Sequence, residues 1–329
     1  GLIMATYKEI RGTNIEVLSS DPSNPVEGQV WYNSTDNVLK GQVATGSAAW
    51  ATGNSLNTAR SSLSAQNTGT QTAALAYGGY GASSDHLNVT EQYNGTSWTE
   101  VNNLNTARNS NAGCGVQTAA ITAGGVSPPN TSSVNCETWN GTNWTEVNNI
   151  NVHSRNSAMA GAVPAAINFG GGPPVVDTTE LWNGTNWTEV NDLTTARQGL
   201  GGCGTSTNAI GVGGRIPGSR LAITELWNGT NWTEVNDLNQ LREKLVATGT
   251  YTSAIAFMGD VPPKTGATET WNGTNWTTST NMNTARENGG GAGTQTAALA
   301  FAGSIPPTTG VTEEFVGAGV QTTVTFTDS

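Results

Sequence analysis

Residues 179–197 read Thr-Glu-Leu-Trp-Asn-Gly-Thr-Asn-Trp-Thr-Glu-Val-Asn-Asp-Leu-Thr-Thr-Ala-Arg. Near copies recur along the chain. Their terminal arginines are Arg60, Arg108, Arg155, Arg197, Arg242 and Arg286, a period of roughly 45 residues. A repeat of this size is one supersecondary unit that cannot bury its apolar face alone and must stack on its neighbours.

Working outward from that segment, each arginine is followed by small residues and then by an apolar stretch ending in glycine. These stretches, 72–79, 118–125, 165–171, 207–214, 252–259 and 296–303, read as strands. A variable loop comes next, then Thr-Glu-x-aromatic, Asn-Gly-Thr and a tryptophan. Asn-Gly between two strand-like pieces predicts a tight hairpin with a type I′ turn, which needs positive φ at both central residues. Six four-stranded units of this kind predict an all-β chain, a six-bladed β-propeller.

The Gly-His and Trp-Asp dipeptides of WD-repeat arrays are absent. The order of features instead resembles the kelch repeat, whose pattern is a glycine doublet followed by a spaced aromatic pair. The likeness covers residues from about 45 to 316. Gly259-Asp260 and Ala302-Gly303 lack the full doublet, and the last copy has Phe315 with no following tryptophan. Trp50 precedes Leu56 by the spacing that Trp98, Trp144, Trp187, Trp232 and Trp276 keep to their own Leu, Ile or Met. The segment around Trp50 is therefore expected to supply the outer strand of the last blade, the alternative being 320–326. The expected organisation is an N-terminal arm and hairpin over 1–44, the propeller over 45–316 and a C-terminal strand or tail over 317–329.

The formal net charge is −11, and six of 13 Lys and Arg residues are the repeat arginines. No basic stripe remains to follow a phosphate backbone, which argues against nucleic acid as a partner. Apolar runs are too short to span a bilayer as a helix. The opening residues, 1–17, carry no apolar h-region, and Met4 is expected to be the initiator. Cys114 and Cys203 hold the same position in different repeats, far apart in a ring, and Cys136 replaces the Thr of a Thr-Glu pair. All three are expected to be small buried hydrophobes rather than disulfide partners.

The aromatic pairs are candidates for sugar stacking, but packing between repeats explains an aromatic in every copy better. The arginines and Glu91, Glu137, Glu180, Glu225 and Glu269 are expected to form buried charge-assisted hydrogen bonds. Asn-Gly-Thr is also a glycosylation acceptor, though turn chemistry accounts for it.

What varies carries more about function. The loops 80–88, 126–135, 172–177, 215–223, 261–267 and 304–310 differ from copy to copy, and four contain Pro-Pro. If strands alternate in direction, these loops share one face with the Leu-x-x-Ala-Arg links. That makes His86, Pro128, Pro129, Pro173, Pro174, Arg215, Arg220, Pro262, Lys264 and Pro306 candidate binding-face residues. No catalytic, metal or cofactor set is legible. Only His86 and His153 are available as imidazoles, in different repeats, and no unrepeated carboxylate pair invites acid–base chemistry.

Ahead of the repeats, Asp21-Pro22-Ser23-Asn24-Pro25 reads as a Pro-containing arm, and a hairpin follows with Asp36-Asn37 near its turn. Residues 25–41 are similar to the leading segment of virion structural and tail-fibre-like proteins of marine tailed phages. That resemblance implies a non-catalytic virion protein, in many copies, docking on other virion proteins through residues 1–44. Its propeller would serve assembly contacts or meet a host surface glycan or protein. The competing expectation is a kelch-type adaptor or lectin-like extracellular module outside any virion.

Overall fold

The computed structural model describes residues 15–23, 25, 29–44, 46–63, 69–83, 85–319 and 321–326. The expected docking residues 1–14, and Val320, lie outside them. The described chain is all-β, and it divides into two compact units, 49–316 and the two chain ends 1–48 with 317–329.

Unit 49–316 contains six four-stranded antiparallel sheets, an arrangement consistent with a propeller-like fold. The second is representative, with strands Ala112–Val116, Ala119–Ala123, Cys136–Trp139 and Trp144–Val147 in spatial order. First strands are rich in Ala and Gly because the neighbouring sheets pack directly on them. A Cβ on Gly291 would lie 2.6 Å from Val246 Cγ1 and 2.7 Å from Phe257 Cζ. Fourth strands bury their leading tryptophan and expose the Thr and Glu that follow, as the outer edge of a sheet allows.

The sixth sheet joins Gly290–Gly293, Ala297–Phe301 and Thr312–Val316 to Ala49–Gly53, with Trp50 opposite Phe315. The alternative closure by 320–326 is overturned. Gln321–Phe326 instead pairs with Val38–Ala44 in the other unit, whose sheet also holds Val30–Asn33 and, in parallel, Glu16–Leu18. There Trp31 is fully buried, and its indole N–H and the Asn33 amide both donate to Asp21 Oδ1.

The sheets of unit 49–316 are joined by a recurring hydrogen bond. The fourth-strand indole N–H reaches back to a threonine hydroxyl on the third strand of the preceding sheet. Trp144 donates to Thr90, Trp232 to Thr179, Trp276 to Thr224, Trp50 to Thr268 and Trp98 to Thr312, each at 3.0–3.1 Å. The sixth indole, of Trp187, finds no threonine hydroxyl, because the residue at the corresponding position is Cys136 and the indole meets its thiol. Burial pushes that thiol up to about 12. All three cysteines are free and buried.

Two expectations need correction. The Asn-Gly hairpins are four-residue loops and not type I′ turns, since Trp139 pairs with Trp144 and only Gly141 has positive φ (92°). Asn140 Oδ1 accepts from the amides of Thr142 and Asn143, so its side chain shapes the turn and spares its own backbone the left-handed conformation. Arg155 is not the third repeat arginine. Ser154 takes that place: its carbonyl accepts from Gly125 N, as those of Arg108 and Arg197 accept from Gly79 and Gly171. No residue is inserted: His153 stands where Ala107 does, Ser154 at the arginine position and Arg155 at that of Asn109 and Gln198, and Ser154 Oγ donates to Gly170 O.

Candidate binding face

Each link is stitched to the variable loop of its own repeat. Asn109 and Val126 exchange backbone hydrogen bonds of 3.0 and 2.8 Å, and Gln198 with Arg215, Glu243 with Asp260 and Glu287 with Ser304 do likewise. Links and loops thus emerge at one end of unit 49–316.

At the centre of that end lies a cycle that no local pattern announces. The amides of Ser62, Ser110, Asn156, Gly199, Lys244 and Asn288 donate in turn to the carbonyls of Asn288, Ser62, Ser110, Asn156, Gly199 and Lys244, at 2.6–3.1 Å. All six residues have positive φ, from 51° to 66°. Asn and Gly tolerate this conformation; Ser and Lys carry a Cβ penalty that the six closed hydrogen bonds offset. The cycle and the residues after it line a cavity of about 40 Å³. Asn111 Oδ1 and Ser157 Oγ, both lining residues, are buried without a protein partner, and the cavity has room for a water to satisfy them.

Around the cycle the face is chemically uneven. On one side His86 stacks edge-on against Tyr80, accepts from Asn109 Nδ2 at Nδ1 and donates from Nε2 to Asn130 Oδ1, both at 2.8 Å. The opposite sector is charged. Arg215 Nε lies 3.2 Å from Glu243, Arg220 reaches Asp260 at 2.8 Å, and Lys244 and Lys264 flank Glu287 at 3.2 and 3.1 Å. Lys264 also donates to Ser304 O, which ties the fifth loop to the sixth. The hydrogen bond to Asp260 raises the Arg220 pKa, and burial raises that of Glu243 against the pull of Arg215. The proline loops stand on the same end: Pro128 and Pro129 follow the Val126–Ser127 strand, Pro173 and Pro174 follow Gly172, Pro262 follows Asp260 and Pro306 follows Ser304.

The repeated side chains are buried structure. Fourth-strand tryptophans are at most 6% exposed and pack on neighbouring aromatics, as Trp232 does on Phe169 at 4.7 Å and Trp98 on Phe301 at 4.9 Å. They offer no sugar-stacking surface. Arg60, Arg108, Arg197, Arg242 and Arg286 are fully buried against Glu91, Glu137, Glu225, Glu269 and Glu313. Burial lowers the guanidinium pKa of Arg60, Arg197, Arg242 and Arg286, opposed by the paired carboxylate. Glu180, the remaining repeat glutamate, accepts from the amides of Asn151 and Val152 and from Asn151 Nδ2.

Sequence reasoning missed the six cycle residues. The only available signal was the run of Ser, Asn, Gly and Lys two places after each buried Arg or Ser154. Among the described residues no group of three or more His, Cys, Asp or Glu is placed to hold a metal ion, and no helix is long and apolar enough to cross a membrane. A scan of protein-family models and a search of curated proteins both find no match.

Proposed function

We propose that the six sheets are the blades of a closed six-bladed, kelch-like β-propeller, and that the protein is a non-catalytic virion structural or appendage component. One closed cycle and a second series with one step missing support the ring. The backbone hydrogen bonds from Ser62 round to Asn288 return to their start, and the indole contacts step back sheet by sheet from Trp98 to Thr312 and on to Trp144 and Thr90.

One observation carries the functional reading. Both chain ends leave the repeats at a single paired site, Val316 opposite Ala49, and build a separate sheet in which Gln321–Phe326 lies beside Val38–Ala44. A repeat array with one mounting module and one face of variable loops suits a displayed, multi-copy part. In this reading the ends dock on other virion proteins, and the loop face makes assembly or host-surface contacts.

Immunogold labelling of particles from the producing culture, with an antibody against unit 49–316, tests this. Label on tails or fibres supports an adsorption part, and label over capsids a decorating one. Particles free of label would reject the virion setting and leave a kelch-type adaptor or lectin-like module, which the charged loop sector favours as the second reading.

A further inference from the structure

We propose that the sector formed by Arg215, Arg220, Lys244 and Lys264 is a docking surface for an acidic polysaccharide, whose carboxylate or sulfate groups meet these cations. The inference rests on the loop face being a binding surface and is independent of the virion setting.

Charge in unit 49–316 is segregated. Five of its basic residues stand outside the buried pairs, Arg155, Arg215, Arg220, Lys244 and Lys264, and four of these are in this one sector. The fourth strands of the sheets, by contrast, expose Glu100, Glu146, Glu189 and Glu234.

Within the sector, depth separates the signs. Arg215, Lys244, Arg220 and Lys264 keep 46, 32, 29 and 24% of their side chains exposed, whereas Glu243, Glu287 and Asp260 keep only 5, 12 and 19%. The carboxylates lie beneath and hold the cations in place, so an approaching group meets mainly guanidinium and ammonium. That preorganisation lowers the entropy cost of gripping an anion, and the planar guanidinium fork suits carboxylate and sulfate alike.

The same sector lacks what a protein partner would want. A protein interface centres on desolvated aromatic or aliphatic anchors. Here the described residues offer one large exposed apolar side chain, Leu241, two residues before Glu243, and no exposed aromatic anchor, the indoles being buried. A hydrated, repeating polyanion fits this surface better.

The test uses the full chain on surfaces bearing alginate (carboxylate), dextran sulfate (sulfate), neutral dextran and poly-glutamate, in about 0.1 M salt, where distant charges are screened. Binding to alginate or dextran sulfate is expected, with neutral dextran inert and the better of the two naming the anionic group. Arg215→Gln with Lys264→Gln should weaken it about tenfold, roughly 1.4 kcal/mol. Lys244 still faces Glu287 and Arg220 still faces Asp260, so the melting temperature should hold. Glu100→Gln with Glu146→Gln should leave binding intact. Absence of binding to either polysaccharide, or binding indifferent to the Arg215 and Lys264 changes, would overturn the proposal. Equal or tighter binding to poly-glutamate would overturn its polysaccharide part. Unlabelled particles in the immunogold experiment would not touch it.

Discussion

Trp50 and Phe315 face each other across two antiparallel strands, ring centroids 5.1 Å apart, although they come from nearly opposite ends of the chain. The Trp50 indole also packs on Phe257 at 5.2 Å and donates to Thr268. One side chain thus holds the N-terminal strand to the last repeat and the sixth sheet to the fifth.

Trp50→Ala should therefore cost about 3–5 kcal/mol, the usual range for emptying a buried tryptophan site. Trp187→Ala should cost less, by up to roughly 1 kcal/mol, because that indole meets a weakly accepting thiol in place of a hydroxyl. Denaturant titration of both variants checks the order. Equal costs would mean that the Trp–Thr hydrogen bond contributes nothing.

Cys136→Thr restores at the second sheet the hydroxyl that the other five sheets offer to an indole. The expected gain is about 0.5–1.5 kcal/mol, seen as a rise in melting temperature. The reverse change, Thr179→Cys, should cost a similar amount by stranding Trp232. A fall on Cys136→Thr would show that the thiol is preferred there for its packing.

The arginines are tested where they are present and where one is absent. Arg197→Ala leaves Glu225 buried without its cation and should destabilise by about 3–5 kcal/mol. Ser154→Arg puts a guanidinium where the other five repeats carry one. Combined with Asn168→Ala, which gives the small residue the fifth and sixth sheets carry opposite their glutamate, it should create a sixth buried pair with Glu180. A crystal structure with the new guanidinium turned away from Glu180 would refute that reading of position 154.

Acid should act first on the unit formed by the chain ends. The hydrogen bond from Lys40, then those from Asn33 and Trp31, lower the Asp21 pKa to about 2. A depressed carboxylate adds stability above its unfolded pKa of about 3.9, and that stability is lost as pH falls toward 2. NMR of the Trp31 indole proton should show the loss over that window, and Asp21→Asn should abolish the dependence. An unchanged profile in the variant would assign the acid sensitivity elsewhere.

Much of the fold was legible. The repeat period located all six sheets, and the Trp50 spacing pointed to the strand that pairs with Thr312–Val316. The turn type was misjudged because Asn140 Oδ1 replaces a backbone conformation with two side-chain hydrogen bonds, which a dipeptide rule does not weigh. Arg155 was misplaced because the third copy has serine at the arginine position and an unrelated arginine one residue later, and only the carbonyl of Ser154 accepting from Gly125 reveals the register.

By itself the sequence determined the repeat, its strands and the buried character of its Trp, Arg and Glu positions, since these follow from local alternation and from recurrence in every copy. Tertiary structure alone decided three things: that Gln321–Phe326 pairs with Val38–Ala44, that six left-handed residues close a ring, and that four cations stand above three sunken carboxylates. Each depends on residues far apart in the chain meeting at a distance of a few ångströms, and no local propensity encodes such a meeting.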